Sequence, residues 1–297
     1  MQLLYAQSRD TELSLNDLLQ RYSSYRKNTL ALYLFNLHQW AEVAHYAVKD
    51  RVNRQAKLVP TEDDRRFTDK LYRNDWMNAL LQADVYKKML QKYPVTARID
   101  ADTTRLMYME FAKTEAYKNY VSDPTAEHPL ILLELYRFLC SNETFNEVME
   151  DHFPSWIDDK TLFVGATKKL LKGLPNLDEF ISDYEDEDLM TLKFGEQLLV
   201  KTLKKEAEIL EYIKPMLQNW DAERVAVIDM ILLKLATSEF LDFPTIPTKV
   251  TLNEYVELSK LYSTDKSKEF VNGILDKLLK KLKEERLVSK EGRGLME

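Results

Sequence analysis

Glycine and proline are scarce in this chain, with 6 glycines and 9 prolines in 297 residues. Sheet-rich folds need frequent turns with positive φ, which glycine supplies at least cost. The scarcity therefore points to helices joined by few loops. It also excludes nucleotide cradles, which need clustered glycines so that backbone N–H groups can approach phosphate. Here Gly165, Gly173, Gly195 and Gly273 stand alone, and Gly292 and Gly294 lie near the C-terminus. The single cysteine, Cys140, rules out an intramolecular disulfide and a cysteine-based zinc cage. It follows Leu135, Phe138 and Leu139, so a buried apolar role is expected. No uninterrupted run of about 18 apolar residues occurs, and no charged-then-apolar signal layout opens the chain. The expectation is a cytoplasmic protein without a membrane role.

What is present is an ordinary globular composition, 45% hydrophobic and 31% charged. The length leaves room for roughly two domains of ~150 residues. Net charge is −7. A protein that binds nucleic acid through bulk electrostatics should be basic, so any RNA binding must be local or shared with a basic partner.

Residues 1–57 read as two or three helices. Ser14 and Asp17 form a capping signature before Leu15, Leu18, Leu19, Tyr22 and Tyr25, and Leu30–Val48 reads as a separate helix. Pro60 and the polar run Thr61–Arg66 break the pattern. Helical pieces punctuated by Pro94, Pro124, Pro129 and Pro154 follow as far as Pro175. The acidic run Asp183–Asp188 opens a long helical stretch reaching Trp220, and its charge suits the positive end of a helix dipole. Val225, Ile228, Leu232, Leu235 and Ala236 keep helical spacing up to Phe240, where Pro244 and Pro247 intervene. Thr251 with Glu254 reads as a capping box flanked by a Val250–Tyr255 staple. A last helix carries Phe270, Val271, Ile274, Leu275, Leu278 and Leu282, with Lys277, Lys280, Lys281 and Lys283 on its outer face.

The runs Pro247–Lys260 and Lys268–Lys277 carry the residues Lys-Val…Asn-Glu…Glu-Leu…Lys and then Phe-Val-Asn-Gly…Leu-Asp-Lys. In that order and separation they resemble the C-terminal signature of the NusB family. Weaker similarity covers Met1–Ala6 and Phe194–Trp220. The segment of about 60–180 looks like that of the long Bacteroidetes-type members. The resemblance implies an all-α fold, a NusB-like pair of helical bundles with an enlarged N-terminal helical half. It divides the chain into an N-terminal region 1–220, a C-terminal bundle 221–287 and a flexible tail 288–297. Within the first region, family-like helices fall at 1–57 and 183–220, around the inserted segment.

The resemblance further implies a non-enzymatic factor without cofactors, which pairs with the ribosomal protein NusE. The pair binds boxA-type single-stranded RNA of ribosomal operons and joins an RNA polymerase antitermination complex. Carried over residue by residue, it implies RNA contacts at Tyr5, Lys234, Lys266 and Phe270, and a partner contact at Asp229. Aromatic stacking on single-stranded bases makes Tyr5 and Phe270 chemically reasonable. On spacing alone, both read more readily as core residues, and the two lysines as solvated charges. Asn253 and Asn272 are expected to bond loop backbone, and Gly273 to permit close helix approach. The family's arginine-rich segment before the tyrosine helix has no counterpart here, which suggests either a start upstream of Met1 or weakened RNA binding; the former is expected.

Two competing readings carry less. His38, Glu42 and His45 share a helix face, but a di-iron bundle needs a second Glu-x-x-His and further carboxylates. A NusB domain attached to a ribosomal-RNA methyltransferase would continue into a glycine-rich domain. A helical scaffold that binds proteins but little RNA remains the alternative.

Overall fold

In the computed structural model, residues 1–175, 193–217 and 225–295 are described. They form helices and no strand, as the glycine scarcity predicts. The helices are α1 (Gln2–Arg9), α2 (Leu15–Gln55), α3 (Glu62–Arg66), α4 (Asp75–Gln82), α5 (Asp84–Lys92) and α6 (Ala101–Phe111). There follow α7 (Glu115–Ser122), α8 (His128–Ser141), α9 (Glu143–His152), α10 (Trp156–Gly173) and α11 (193–204). The last four are α12 (Glu206–Ile213), α13 (Val227–Asp242), α14 (Thr248–Tyr262) and α15 (Ser267–Glu284). The acidic run Asp183–Asp188 and Trp220 lie outside the described residues.

The chain separates into two compact units, Met1–Ser24 with Asp188–Glu297, and Tyr25–Glu187. This grouping differs from the expected boundary near residue 220, because α13, α14 and α15 share one core with residues of α1, α11 and α12. In that core Leu3, Leu18, Ile209, Ile213, Leu232, Phe240, Leu275 and Leu278 are buried. The second unit has its own core around Phe35, Trp40, Tyr108, Phe111, Tyr136, Phe145 and Trp156.

Several local expectations need correction. α2 is one helix of 41 residues rather than two. Its middle, Arg26-Lys27-Asn28-Thr29, holds neither proline nor glycine, so nothing interrupts the backbone ladder. The Ser14–Asp17 cap does form: Asp17 N–H donates to Ser14 Oγ (3.2 Å) and Ser14 N–H to Asp17 Oδ2 (2.9 Å). Pro129 marks the start of α8 as expected, in a first turn where its missing N–H costs nothing. α14 begins at Thr248, a turn before the expected cap, so Thr251 lies inside the helix and Val250 is exposed.

Gly273 does not mediate a close approach, since a Cβ there would meet open space. Gly195 and Gly294 are the tight positions. A Cβ would fall 2.2 Å from the Tyr22 hydroxyl at the first and 1.9 Å from the Pro244 carbonyl at the second. The stretch expected as a flexible tail is held by three contacts. Glu291 N–H donates to the Pro244 carbonyl (2.9 Å), and Lys290 Nζ to those of Phe243 (2.9 Å) and Glu239 (3.4 Å). Asn253 and Asn272 are exposed on α14 and α15 rather than bonded into loops.

Candidate functional site

The sequence-derived site residues all fall in the first unit, on α1, α13 and the start of α15. Tyr5 stands on α1 at 37% exposure, with the Arg9 guanidinium 5.6 Å from its ring centroid. The neighbouring positions Leu3 and Leu4 are buried and anchor the helix, which leaves the tyrosine ring at the surface. An aromatic ring held this way can offer a stacking face to a base.

Lys234 lies on α13, in the wall of a cavity of about 200 Å³ that also includes Leu4, Ser8, Thr202 and Glu206. Its Nζ donates to Glu206 Oε1, so its charge is already paired. The lysine side chain is 18% exposed and the glutamate 43%. Residues of α1, which carries Tyr5, and of α13, which carries Lys234, therefore line one hollow.

Lys266 and Phe270 open α15. Lys266 is the exposed N-cap residue, and Phe270 is half-buried against the core of this unit. They stand four residues apart, one turn of the same helix face. The turn ahead of them is closed by hydroxyls: Ser267 Oγ lies 2.9 Å from Ser263 Oγ and 2.8 Å from Thr264 Oγ1. Thr264 N–H also donates to Ser267 Oγ (3.2 Å).

Asp229, expected at a partner surface, is only 4% exposed. Its Oδ2 accepts a hydrogen bond from Ser267 Oγ at 2.7 Å, and its Oδ1 is buried with no partner. It sits in the first turn of α13, where the helix dipole favours a carboxylate. In this conformation Asp229 ties the α14–α15 turn to the start of α13. Of the five residues the structure joins Lys266 and Phe270 to the Asp229 tether, whereas Lys234 lines a hollow beside α1 that Tyr5 itself does not line.

Sequence reasoning missed a buried polar cluster where α13 packs on α14. Glu239 accepts hydrogen bonds from Thr251 Oγ1 (2.7 Å) and Tyr255 OH (3.0 Å). Burial pushes the Glu239 carboxyl and the Tyr255 hydroxyl up, the two hydroxyl donors pulling Glu239 partly back. Thr251 thus crosses to α13 instead of capping α14. The signal was present in a single acidic residue on an otherwise apolar helix face. The Glu206 partner of Lys234 carried no comparable signal.

In the second unit, His38 Nδ1 lies 2.9 Å from Tyr86 OH, and Glu42 lies 3.9 Å from His38 Nε2 and 3.5 Å from His45 Nδ1. Burial lowers the His38 pKa, against the pull of Glu42. Among the described residues, no group of three or more His, Cys, Asp or Glu could hold a metal ion. Cys140 is half-buried and packed against this unit's core, and burial raises its thiol pKa. No helix among the described residues is long and apolar enough to cross a membrane.

Fold and site together define an all-helical protein whose candidate surface is built from aromatic and basic side chains on α1, α13 and the start of α15. The NusB family model matches residues 164–280. The transcription antitermination protein NusB of Salinibacter ruber is 43% identical over 111 residues, 37% of this chain and 69% of that protein. The NusB protein of Chloroherpeton thalassium is 36% identical over 110 residues, 37% of this chain and 52% of its own length. That of Natranaerobius thermophilus is 34% identical over 131 residues, 41% of this chain and 94% of its own. The chain belongs to the NusB family. No solved structure matches it.

Proposed function

We propose that this protein is a transcription antitermination factor that pairs with the ribosomal protein NusE and binds boxA-type RNA of ribosomal operons. Tyr5 and Phe270 supply stacking faces, and Lys234 and Lys266 supply phosphate contacts. Asp229 serves the partner face by fixing the turn that carries Lys266. The reading includes entry into an RNA polymerase antitermination complex and assigns no chemistry to the chain. What carries it is the gathering of the family-matched helices α13, α14 and α15 onto the core that also holds α1. The relatives' shared description as transcription antitermination proteins supports the same role.

The test is a mobility-shift titration of boxA RNA with and without NusE. Binding should strengthen when NusE is added, and Tyr5→Ala or Phe270→Ala should each weaken it by about 1–3 kcal/mol. Unchanged affinity and mobility on adding NusE would sink the assignment. A second reading, a scaffold that binds NusE but little RNA, draws on the pairing of Lys234 with Glu206 and on the net charge of −7. NusE capture without RNA binding would select it.

A further inference from the structure

Two stretches of this acidic chain carry no carboxylate, residues 18–41 and 85–99. Between them they hold Arg21, Arg26, Lys27, Lys87, Lys88, Lys92 and Arg98. Folding brings the part of the first stretch from Tyr25 onward together with the other stretch within the second unit. Arg26, Lys27 and Asn28 of α2 face Lys92, Tyr93 and Arg98, at the end of α5 and just beyond, across a cavity of about 400 Å³. No acidic residue lines it.

Four cations around one hollow repel each other unless something compensates. Some basic groups of this unit meet carboxylates, as Arg54 meets Asp50 and Lys57 meets Asp64. Among the described residues, Arg26, Lys27, Lys92 and Arg98 make no ion pair. Two are positioned by rings instead, Arg98 at 5.0 Å from the Phe153 centroid and Lys92 at 5.5 Å from that of Tyr93.

Two residues of the lining also carry buried donors without acceptors. Arg26 Nε is buried and has no hydrogen-bond partner. Tyr93 is 8% exposed, and its hydroxyl too is buried without a partner. A buried donor left unpaired costs on the order of 1–3 kcal/mol, so native proteins rarely keep two in one hollow without a use. The segment bearing Tyr93 is fixed locally, with Tyr93 N–H on the Met89 carbonyl (2.8 Å) and Arg98 N–H on that of Val95 (3.0 Å).

We propose that this pocket binds a phosphate-bearing ligand of nucleotide size. The phosphate oxygens accept from Arg26, Arg98 and the Tyr93 hydroxyl, with Lys27 and Lys92 neutralising the remaining charge. Ala31, Pro94 and Val95 form an apolar wall for the non-phosphate part of the ligand, and Asn28 offers it an amide. The volume falls within the range of small-molecule sites rather than that of a bare ion. The phosphate comes either from a free nucleotide or from one unit of a single-stranded RNA. The site lies outside the residues assigned to boxA binding, and it stands whether or not the antitermination reading holds.

The test is calorimetric titration of the full chain with pyrophosphate, AMP and hexauridylate, comparing wild type with the Arg26→Gln/Arg98→Gln double variant. Circular dichroism and the thermal midpoint check that the variants fold, and Lys113→Gln, an exposed lysine of the same unit, serves as the charge control. Saturable AMP or pyrophosphate binding, weakened at least about tenfold in the double variant and not in Lys113→Gln, supports a free nucleotide as the source. Hexauridylate binding with the same pattern, but no AMP binding, supports RNA. Phe270→Ala should leave AMP binding intact, which separates this site from the boxA surface. Absence of binding by all three probes, or equal affinity of the double variant, overturns the proposal; so does equal competition by hexaglutamate.

Discussion

The two units bury different kinds of side chain. Around α13, α14 and α15 the core is mainly aliphatic, with Leu232, Leu235, Ile274, Leu275, Leu278 and Leu282 repeating along regular helices. The second unit is built largely from short helices, and its core is aromatic, with Trp40, Trp156, Tyr108, Tyr136, Phe35, Phe111 and Phe145 all fully buried. Short helices gain little from their own hydrogen-bond ladder, and large rings supply more contact area per residue. Rings with polar ends must also find partners. Trp40 Nε1–H donates to the Leu132 carbonyl (3.1 Å), and Tyr108 OH donates to Asp50 Oδ2 (2.9 Å). Asn36 Nδ2 donates to Tyr136 OH (3.0 Å) and Thr167 Oγ1 (2.9 Å). Long-range polar contacts thus specify the packing in the second unit, whereas stripe periodicity does most of that work in the first.

The sharpest break of this contrast is Trp40→Ala. It removes a fully buried ring together with its hydrogen bond to the Leu132 carbonyl, and should cost about 3–5 kcal/mol. Denaturant titration measures the loss, and hydrogen exchange should place the weakened protection within residues 25–175.

In the first unit the corresponding break is polar. Glu239→Ala removes the carboxylate acceptor of the Thr251 and Tyr255 hydroxyls and should cost about 1–3 kcal/mol in urea titration. Glu239→Gln preserves an acceptor and should cost less. Because burial raises the Glu239 pKa, the folded state holds its proton more tightly than the unfolded chain. Its contribution to stability is therefore full below the unfolded carboxyl value and is lost as pH rises through the folded pKa. Glu239→Gln should remove that slope; an unchanged slope would show that Glu239 is not its source.

Glycine substitutions sharpen the comparison at smaller scale. Gly195→Ala sets a methyl against Tyr22 and should destabilise by about 1–3 kcal/mol. Gly273→Ala in α15 and Gly165→Ala in α10 meet open space and should each stabilise by up to about 1 kcal/mol. Thermal midpoints moving in opposite directions for the first and the latter two would check this.

The smallest effect belongs to His38 in the second unit. Its folded pKa is lowered, chiefly by burial, so its contribution is present above the unfolded histidine value and lost as pH falls through the folded one. His38→Gln should flatten the dependence of stability on pH below about 6.5. A wild-type slope retained in the variant would assign that dependence to another group.

Much of the architecture was legible because helical periodicity is local. The stripe through Val271, Ile274, Leu275, Leu278 and Leu282 is buried as its spacing predicts. The Ser14–Asp17 cap forms because both partners lie within one turn. Thr251 shows where that logic stops. Its spacing to Glu254 matches a cap, yet its hydroxyl is taken by Glu239, twelve residues earlier, once α13 and α14 pack together. Likewise, Asp229 looks from sequence like an exposed acid, and only the packed turn at Ser267 shows it to be buried.

By itself the sequence determined that the chain is helical, where some of its helices begin, and that its last third carries the signature of the NusB family. Those properties depend on residues within a turn or two of each other. Tertiary structure alone decided that the first 24 residues share a core with the last helices, that Lys234 is paired with Glu206, and that two carboxylate-free stretches more than forty residues apart meet around a basic cavity. Charge pairing and burial depend on which surfaces come together across the chain, and no local pattern records that.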